Sequence, residues 1–232
     1  MDWTAFIEAL LSTQTPFLPD PLVMHWGRRL CWGIVLASLA VWLARRWPPR
    51  VQWGLSGVLL VWSLWPGPAS PAHWLGLAFQ APSLTTALIC LVWAGTRLTP
   101  AAAWRELDRE QALALHRAGW AGMALGWLLL LDTFALFPGS LYSAGFSPAA
   151  VGLAAMAAGL PWVVFGPRHP ARAVSMLLGA VVMIFVLLRL PTGNLWDALL
   201  DPWLWLALHL LWLFRGARRF NAARRGSAAI RA

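Results

Sequence analysis

Long apolar runs separated by short polar gaps make up almost the whole chain. The runs fall at about 29–44, 51–66, 73–95, 119–137, 148–166, 173–190 and 195–214. A helix that crosses a bilayer needs roughly 20 mostly apolar residues. The pattern therefore predicts an all-α integral membrane protein with about seven transmembrane helices. The chain divides accordingly into an N-terminal segment (1–28), a helical bundle (29–214) and a basic tail (215–232). Two more helices are expected outside the runs. Trp3, Phe6, Ile7 and Leu10 stand at the spacing of one helical face, which suits a short amphipathic helix lying on the membrane interface. The second opens at Thr99-Pro100, with proline at the first helical position. It passes Trp104, Glu106, Asp108, Arg109 and His116 and is expected to run on into the fourth apolar run.

The gaps alternate in charge. Arg45, Arg46 and Arg50 follow the first run; Arg97, Arg105, Arg109 and Arg117 follow the third; Arg168 and Arg172 follow the fifth; six more lie between Arg215 and Arg231. The gaps at 66–72 and 138–147 carry no charge, and Arg28, Arg29 and Arg189 are the other side's arginines, beside six of the nine acids. Positive loops stay in the cytoplasm. The expected topology is thus N-terminus outside, in the periplasm, and C-terminus inside, in a bacterial-type inner (plasma) membrane. Anionic lipid is the expected partner of the arginine-rich side.

Composition agrees with this picture. The chain is 59% hydrophobic and 12% charged, with a mean hydropathy of +0.62, against roughly 25% charged residues in a soluble domain. The net charge of +9 is explained by the arginines that flank the runs, and no nucleic-acid partner is expected. Lysine is absent, which excludes a retinal-type Schiff base. Cys31 and Cys90 form no CxxC pair and read as small buried apolar residues. Most of the 18 tryptophans, Trp26, Trp42, Trp65 and Trp212 among them, fall near the ends of runs, where indole rings anchor at the interface.

An internal repeat is suggested by Arg46-Trp-Pro-Pro-Arg50 and Arg168-His-Pro-Ala-Arg172. A shift of 122 residues also pairs Gly57 with Gly179 and Trp74 with Trp196. Runs one to three and five to seven would then be parallel repeats around an inverting fourth helix, the 3+1+3 plan of sugar-transporting SWEET proteins. The likeness is one of topology, and that family's sequence marks are absent. Short basic turns between apolar hairpins can also converge on such a motif.

Ionisable and polar groups at membrane depth are costly, and they face a bundle interior or a cavity. Gln80, Pro82, Ser83, Thr85 and Thr86 interrupt the third run, either as a broken helix of the kind that builds transporter sites or as an ordinary kink. Asp132 interrupts the fourth run, and Arg189, closing the sixth, is its expected ion-pair partner. Asp197, Asp201, Trp205, His209 and Trp212 follow helical spacing in the seventh. They form a polar stripe along a pathway, unless the two aspartates sit at the outer interface and Pro202 starts the helix proper. His25 and His73 on one side, and His116, His169 and His209 on the other, show no repeated facing pair of the kind that holds b-type haem. No cofactor or metal is expected.

No HExxH, GxSxG or paired-aspartate motif occurs in the runs, so no catalytic centre is expected. The functional expectation is a non-catalytic small-solute permease, its pathway drawn from Gln80, Ser83, Thr86, Asp132, Arg189, Asp201 and His209. The alternatives are a subunit or assembly partner of a larger membrane complex, or a haem- or quinone-binding membrane protein. The chain could also self-associate.

Overall fold

Helix boundaries follow local chemistry. The structure is a computed structural model that describes residues 3–13, 16–98, 109–166 and 168–230. After α1 (Trp3–Leu11), α2 (Pro21–Leu43) opens at Asp20, whose carboxylate accepts from the amides of Leu22 (2.8 Å) and Val23 (3.2 Å), with proline next. Proline also opens α3 (Pro49–Leu64) and α4 (Pro71–Phe79). There follow α5 (Leu84–Leu98), α6 (Arg109–Thr133) and the single turn α7 (Leu141–Ala144), capped by Ser140. Then come α8 (Pro148–Phe165), capped by Ser147, and α9 (Arg172–Leu188). The last are α10 (Leu195–Leu199), capped by Asn194, and α11 (Pro202–Ile230). No strand occurs among the described residues.

Each of the seven apolar runs is helical, but two are interrupted: the third is split into α4 and α5, the seventh into α10 and α11. The expected helix from Thr99 lies partly outside the described residues; its part from Arg109 onward does continue into the fourth run as α6. α11 carries its helix past residue 214 as far as Ile230. Among the described residues, one helix, Pro148–Phe165, is by length and apolarity alone sufficient to cross a membrane; Leu84–Leu98 and Arg172–Leu188 are apolar but shorter.

α2 is the central helix. It packs most extensively on α3 and α5 and also touches α4, while α8 pairs with α9. α5 joins the two halves by packing on α9 and α10, and α11 rests on α6. The core is built of small and medium side chains: Cys31, Leu84, Ala87, Ala150, Val181, Phe185, Leu190, Leu195 and Ala198. Such residues let helices approach closely. The buried hydroxyls of Ser38 and Ser63 donate to carbonyls one turn back in their own helices, and Ser38 on α2 also donates to the Cys90 carbonyl of α5 at 2.9 Å. Large apolar side chains instead cover the outside; Val163 is 83% exposed and Leu187 72%. Exposed apolar surface on this scale marks a face made for contact with lipid or with another protein.

Candidate functional site

The two helix breaks meet. Leu200 is extended (φ −145°, ψ 132°) and Asp201 precedes Pro202, a position from which α-helical geometry is disfavoured. Asp201 therefore caps α11, one carboxylate oxygen accepting from the Leu204 amide at 2.8 Å. Its other oxygen reaches across to the first break. It accepts from the Ser83 amide at 2.8 Å and from the Thr86 hydroxyl. Ser83 in turn accepts from the Thr86 amide at 3.1 Å and so caps α5. Two helix N-termini, each carrying partial positive charge, thus converge on one buried carboxylate. Thr85 completes the join by donating to the Ala198 carbonyl (3.3 Å) at the end of α10.

The chain turns out of α4 at Gln80, whose φ of 60° and ψ of −137° lie in a region that costs an L-residue about 1–3 kcal/mol. Its carbonyl is held by the Trp32 indole N–H at 2.7 Å. Phe79 then stacks edge-on against Trp203, with centroids 5.0 Å apart, and leans on Trp32. Aromatic rings from three helices therefore cover the breaks. The Gln80 side chain is exposed; it is the backbone of this residue that serves the site.

The expected pair of Asp132 with Arg189 does not form. α6 stops at Thr133, short of the apolar run's end, and Asp132 turns onto the loop that follows. It accepts from the amides of Leu141 (2.9 Å) and Tyr142 (2.8 Å) and from the Ser140 hydroxyl (3.2 Å). Arg189 ends α9 with φ 55° and lies over the rings of Phe185 (5.3 Å) and Phe17 (5.6 Å). Replacing Asp132 by alanine is expected to speed amide exchange at Leu141 and Tyr142 while leaving the Ser83 amide protected. Equal protection in both proteins would show that the carboxylate does not hold the loop.

The expected continuous face through Asp197, Asp201 and His209 is also broken, because Asp197 belongs to α10. There it accepts from the hydroxyls of Tyr142 (2.7 Å) and Thr192. Burial, and then the Asp197 carboxylate, pushes the Tyr142 phenol well above its ordinary pKa. Asn194 donates to the Tyr142 carbonyl and Trp196 to the Leu141 carbonyl, both at 2.9 Å. This network binds the loop before α8 to the loop before α10. Sequence reasoning missed Tyr142, Thr192 and Asn194; the local signal was Asn194 as a helix cap.

His209 is placed apart from Asp201, on the seam between α6 and α11. Its Nε2 accepts from the Trp127 indole at 3.2 Å, so its proton sits on Nδ1, 2.8 Å from the Trp205 carbonyl. Both nitrogens are spent on helix packing. Trp205 itself donates to the Met123 carbonyl at 3.1 Å and lies in a notch at Gly126. His169 differs: it is buried against Trp162, and neither ring nitrogen has a hydrogen-bond partner.

Of the residues singled out in the sequence, Ser83, Thr86 and Asp201 are brought together, with the Gln80 backbone beside them. Asp132, Arg189 and His209 stand elsewhere. Among the described residues no group of three or more His, Cys, Asp or Glu side chains could hold a metal ion. No protein-family model, curated protein or solved structure matches this chain.

Proposed function

We propose that the chain is a multi-pass inner-membrane protein of about seven passages, with its N-terminus outside, acting as a small-solute permease. The observation that carries this reading is the meeting of two interrupted helices at buried Asp201. Transporter sites are built where half-helix N-termini face an anion across a repeat interface; here the occupying anion is the protein's own carboxylate. A solute that competes for the Ser83 amide or the Thr86 hydroxyl would displace Asp201 and loosen α11 from α5. The apolar exterior supports lipid as the surrounding solvent.

For the repeat reading, a shift of 122 residues carries α4 onto 193–201, the stretch that includes α10, but the two breaks fall out of register, since 80–83 lands on the first turn of α11. The packing of the two halves differs, because α5 lies on α2 whereas α11 lies on α6. A repeat in this protein would be one of chain order, with the last helix repositioned.

A second reading, a subunit of a larger membrane complex, is favoured by the full satisfaction of Asp201 by protein donors, as expected of a packing lock. One experiment separates the two. The protein is extracted in a mild detergent, its co-purifying chains are quantified, and uptake of a panel of small solutes is measured for wild type and Asp201→Asn. The permease reading expects no fixed-ratio partner and a loss of uptake in the variant. A stoichiometric partner, with uptake unchanged in the variant, would overturn it.

A further inference from the structure

Among the described residues, the aspartates at the charge-poor end of the bundle are committed elsewhere, and two of its arginines are not matched by any acid. Asp20 caps α2, Asp132 holds the loop before α7, Asp197 binds Tyr142 and Thr192, and Asp201 joins the breaks; Glu8 is exposed on α1. Arg29 is only 2% exposed, yet its partners are neutral: Nε donates to His25 Nε2 at 3.0 Å and Nη1 to the Trp65 carbonyl. Arg28 lies flat against α4, where a Cβ on Gly76 would come within 2.9 Å of its Cδ and Nε. That Nε is buried and has no hydrogen-bond partner. Guanidinium groups stay charged in proteins. Arg29 taken from water, next in the chain to a half-buried Arg28 and with no counter-charge among the described residues, is a costly arrangement.

His25 registers the same field. Burial lowers its pKa first, and the positive charges of Arg29, Arg28 and His73 lower it further. The cluster draws on the start of α2, the turn after α3 and the face of α4, so it is built by tertiary structure and not by one basic stretch. Arg189 shares this end but rests on two aromatic rings and takes no part.

We propose that Arg28 and Arg29, flanked by His25 and His73, form a binding site for a phosphate-bearing anion at the outward-facing end of the bundle. The fork of a guanidinium matches two phosphate oxygens. Arg28 Nε and the remaining face of the Arg29 fork supply donors, and Gly76 makes room for the Arg28 side chain to lie in place. The proposal is independent of the permease reading. The same chemistry is offered by a free phosphate compound and by the head group of an anionic phospholipid, and the test has an arm for each.

The full-length protein is placed in phosphatidylcholine nanodiscs and titrated with inorganic phosphate at constant ionic strength, with thermal unfolding as readout. In parallel, discs containing phosphatidylglycerol are analysed by native mass spectrometry for retained lipid. Wild type is compared with Arg28→Gln, Arg28→Lys, Arg29→Gln and, as a control, Arg189→Gln. A saturable rise in melting temperature with phosphate, its apparent affinity about ten-fold or more weaker in Arg28→Gln (about 1.4 kcal/mol) and unchanged in Arg189→Gln, identifies a free anion. Phosphatidylglycerol retained in fixed ratio by wild type and Arg189→Gln but lost from Arg28→Gln identifies the lipid. Arg28→Lys keeps the charge and loses the fork, and is expected to fall between; it also serves should the glutamine variants fail to fold. If neither phosphate nor phosphatidylglycerol distinguishes wild type from the Arg28 variants, the site does not exist.

Discussion

Gly126→Ala will destabilise the protein, although alanine is the better helix former. In an open helical position the exchange favours the helix by about 1 kcal/mol. At Gly126 the added Cβ would sit 2.2 Å from Trp205 Cδ1 and 2.3 Å from its Nε1, against a rigid ring held by the Met123 carbonyl. Overpacking costs about 1–3 kcal/mol, and the indole hydrogen bond, about 1 kcal/mol, goes with it. Gly126→Val should be worse. Gly152→Ala on α8, where a Cβ meets nothing within 4 Å, is the control and should be neutral or stabilising. Thermal unfolding followed by labelling of buried Cys31 and half-buried Cys90 reads the difference. Equal melting of the two alanine variants would show that α11 does not seat on α6 through Trp205.

Asp201→Ala is expected to be the most damaging single truncation in the bundle. It leaves the amides of Ser83 and Leu204 and the hydroxyl of Thr86 without their acceptor. Each unsatisfied buried donor costs about 1–3 kcal/mol. Allowing for relaxation, the loss should be on the order of 3–5 kcal/mol, as when one partner of a buried charged pair is removed. Asp201→Asn retains one acceptor oxygen, and asparagine is a good helix cap, so it should fall between alanine and wild type. The same thiol assay applies, with faster labelling of Cys31 expected as the break region loosens. A wild-type melting temperature in Asp201→Ala would mean that the two breaks are held together by packing alone.

The helices themselves are legible in the sequence because their start signals are local. Asp20-Pro21, Pro49, Ser147-Pro148 and Asn194 mark starts that the structure shares. The breaks are only half legible. Pro82 and Pro202 announce that helix cannot continue unaltered, but what holds the two ends apart is distant. Ser83 finds its acceptor 118 residues away, and the Gln80 carbonyl finds an indole 48 residues back. Asp132 misleads for a different reason. Counting charges on each side predicts an ion pair, whereas backbone amides nine and ten residues later reach its carboxylate first. In the seventh run the face through Trp205 and His209 packs against α6. Its counterpart was also in plain view: Gly119, Gly122 and Gly126 form a notched stripe on α6 that receives Leu208 and Trp205. Arg28 and Arg29 read as flanking charges, since burial of a guanidinium leaves no mark in a single sequence.

The reach of Asp201 also bears on the order in which the chain can be assembled. Synthesis proceeds from the N-terminus, so α4 and α5 exist well before residue 201 does. Until then the Ser83 amide and the Thr86 hydroxyl lack the acceptor they have in the finished fold, and a long-range partner is slow to arrive. The break between α4 and α5 should therefore remain unsettled in a nascent chain. Chains truncated before residue 201 should be degraded faster than the full-length protein, because the final helix is the one that closes the break in an earlier one.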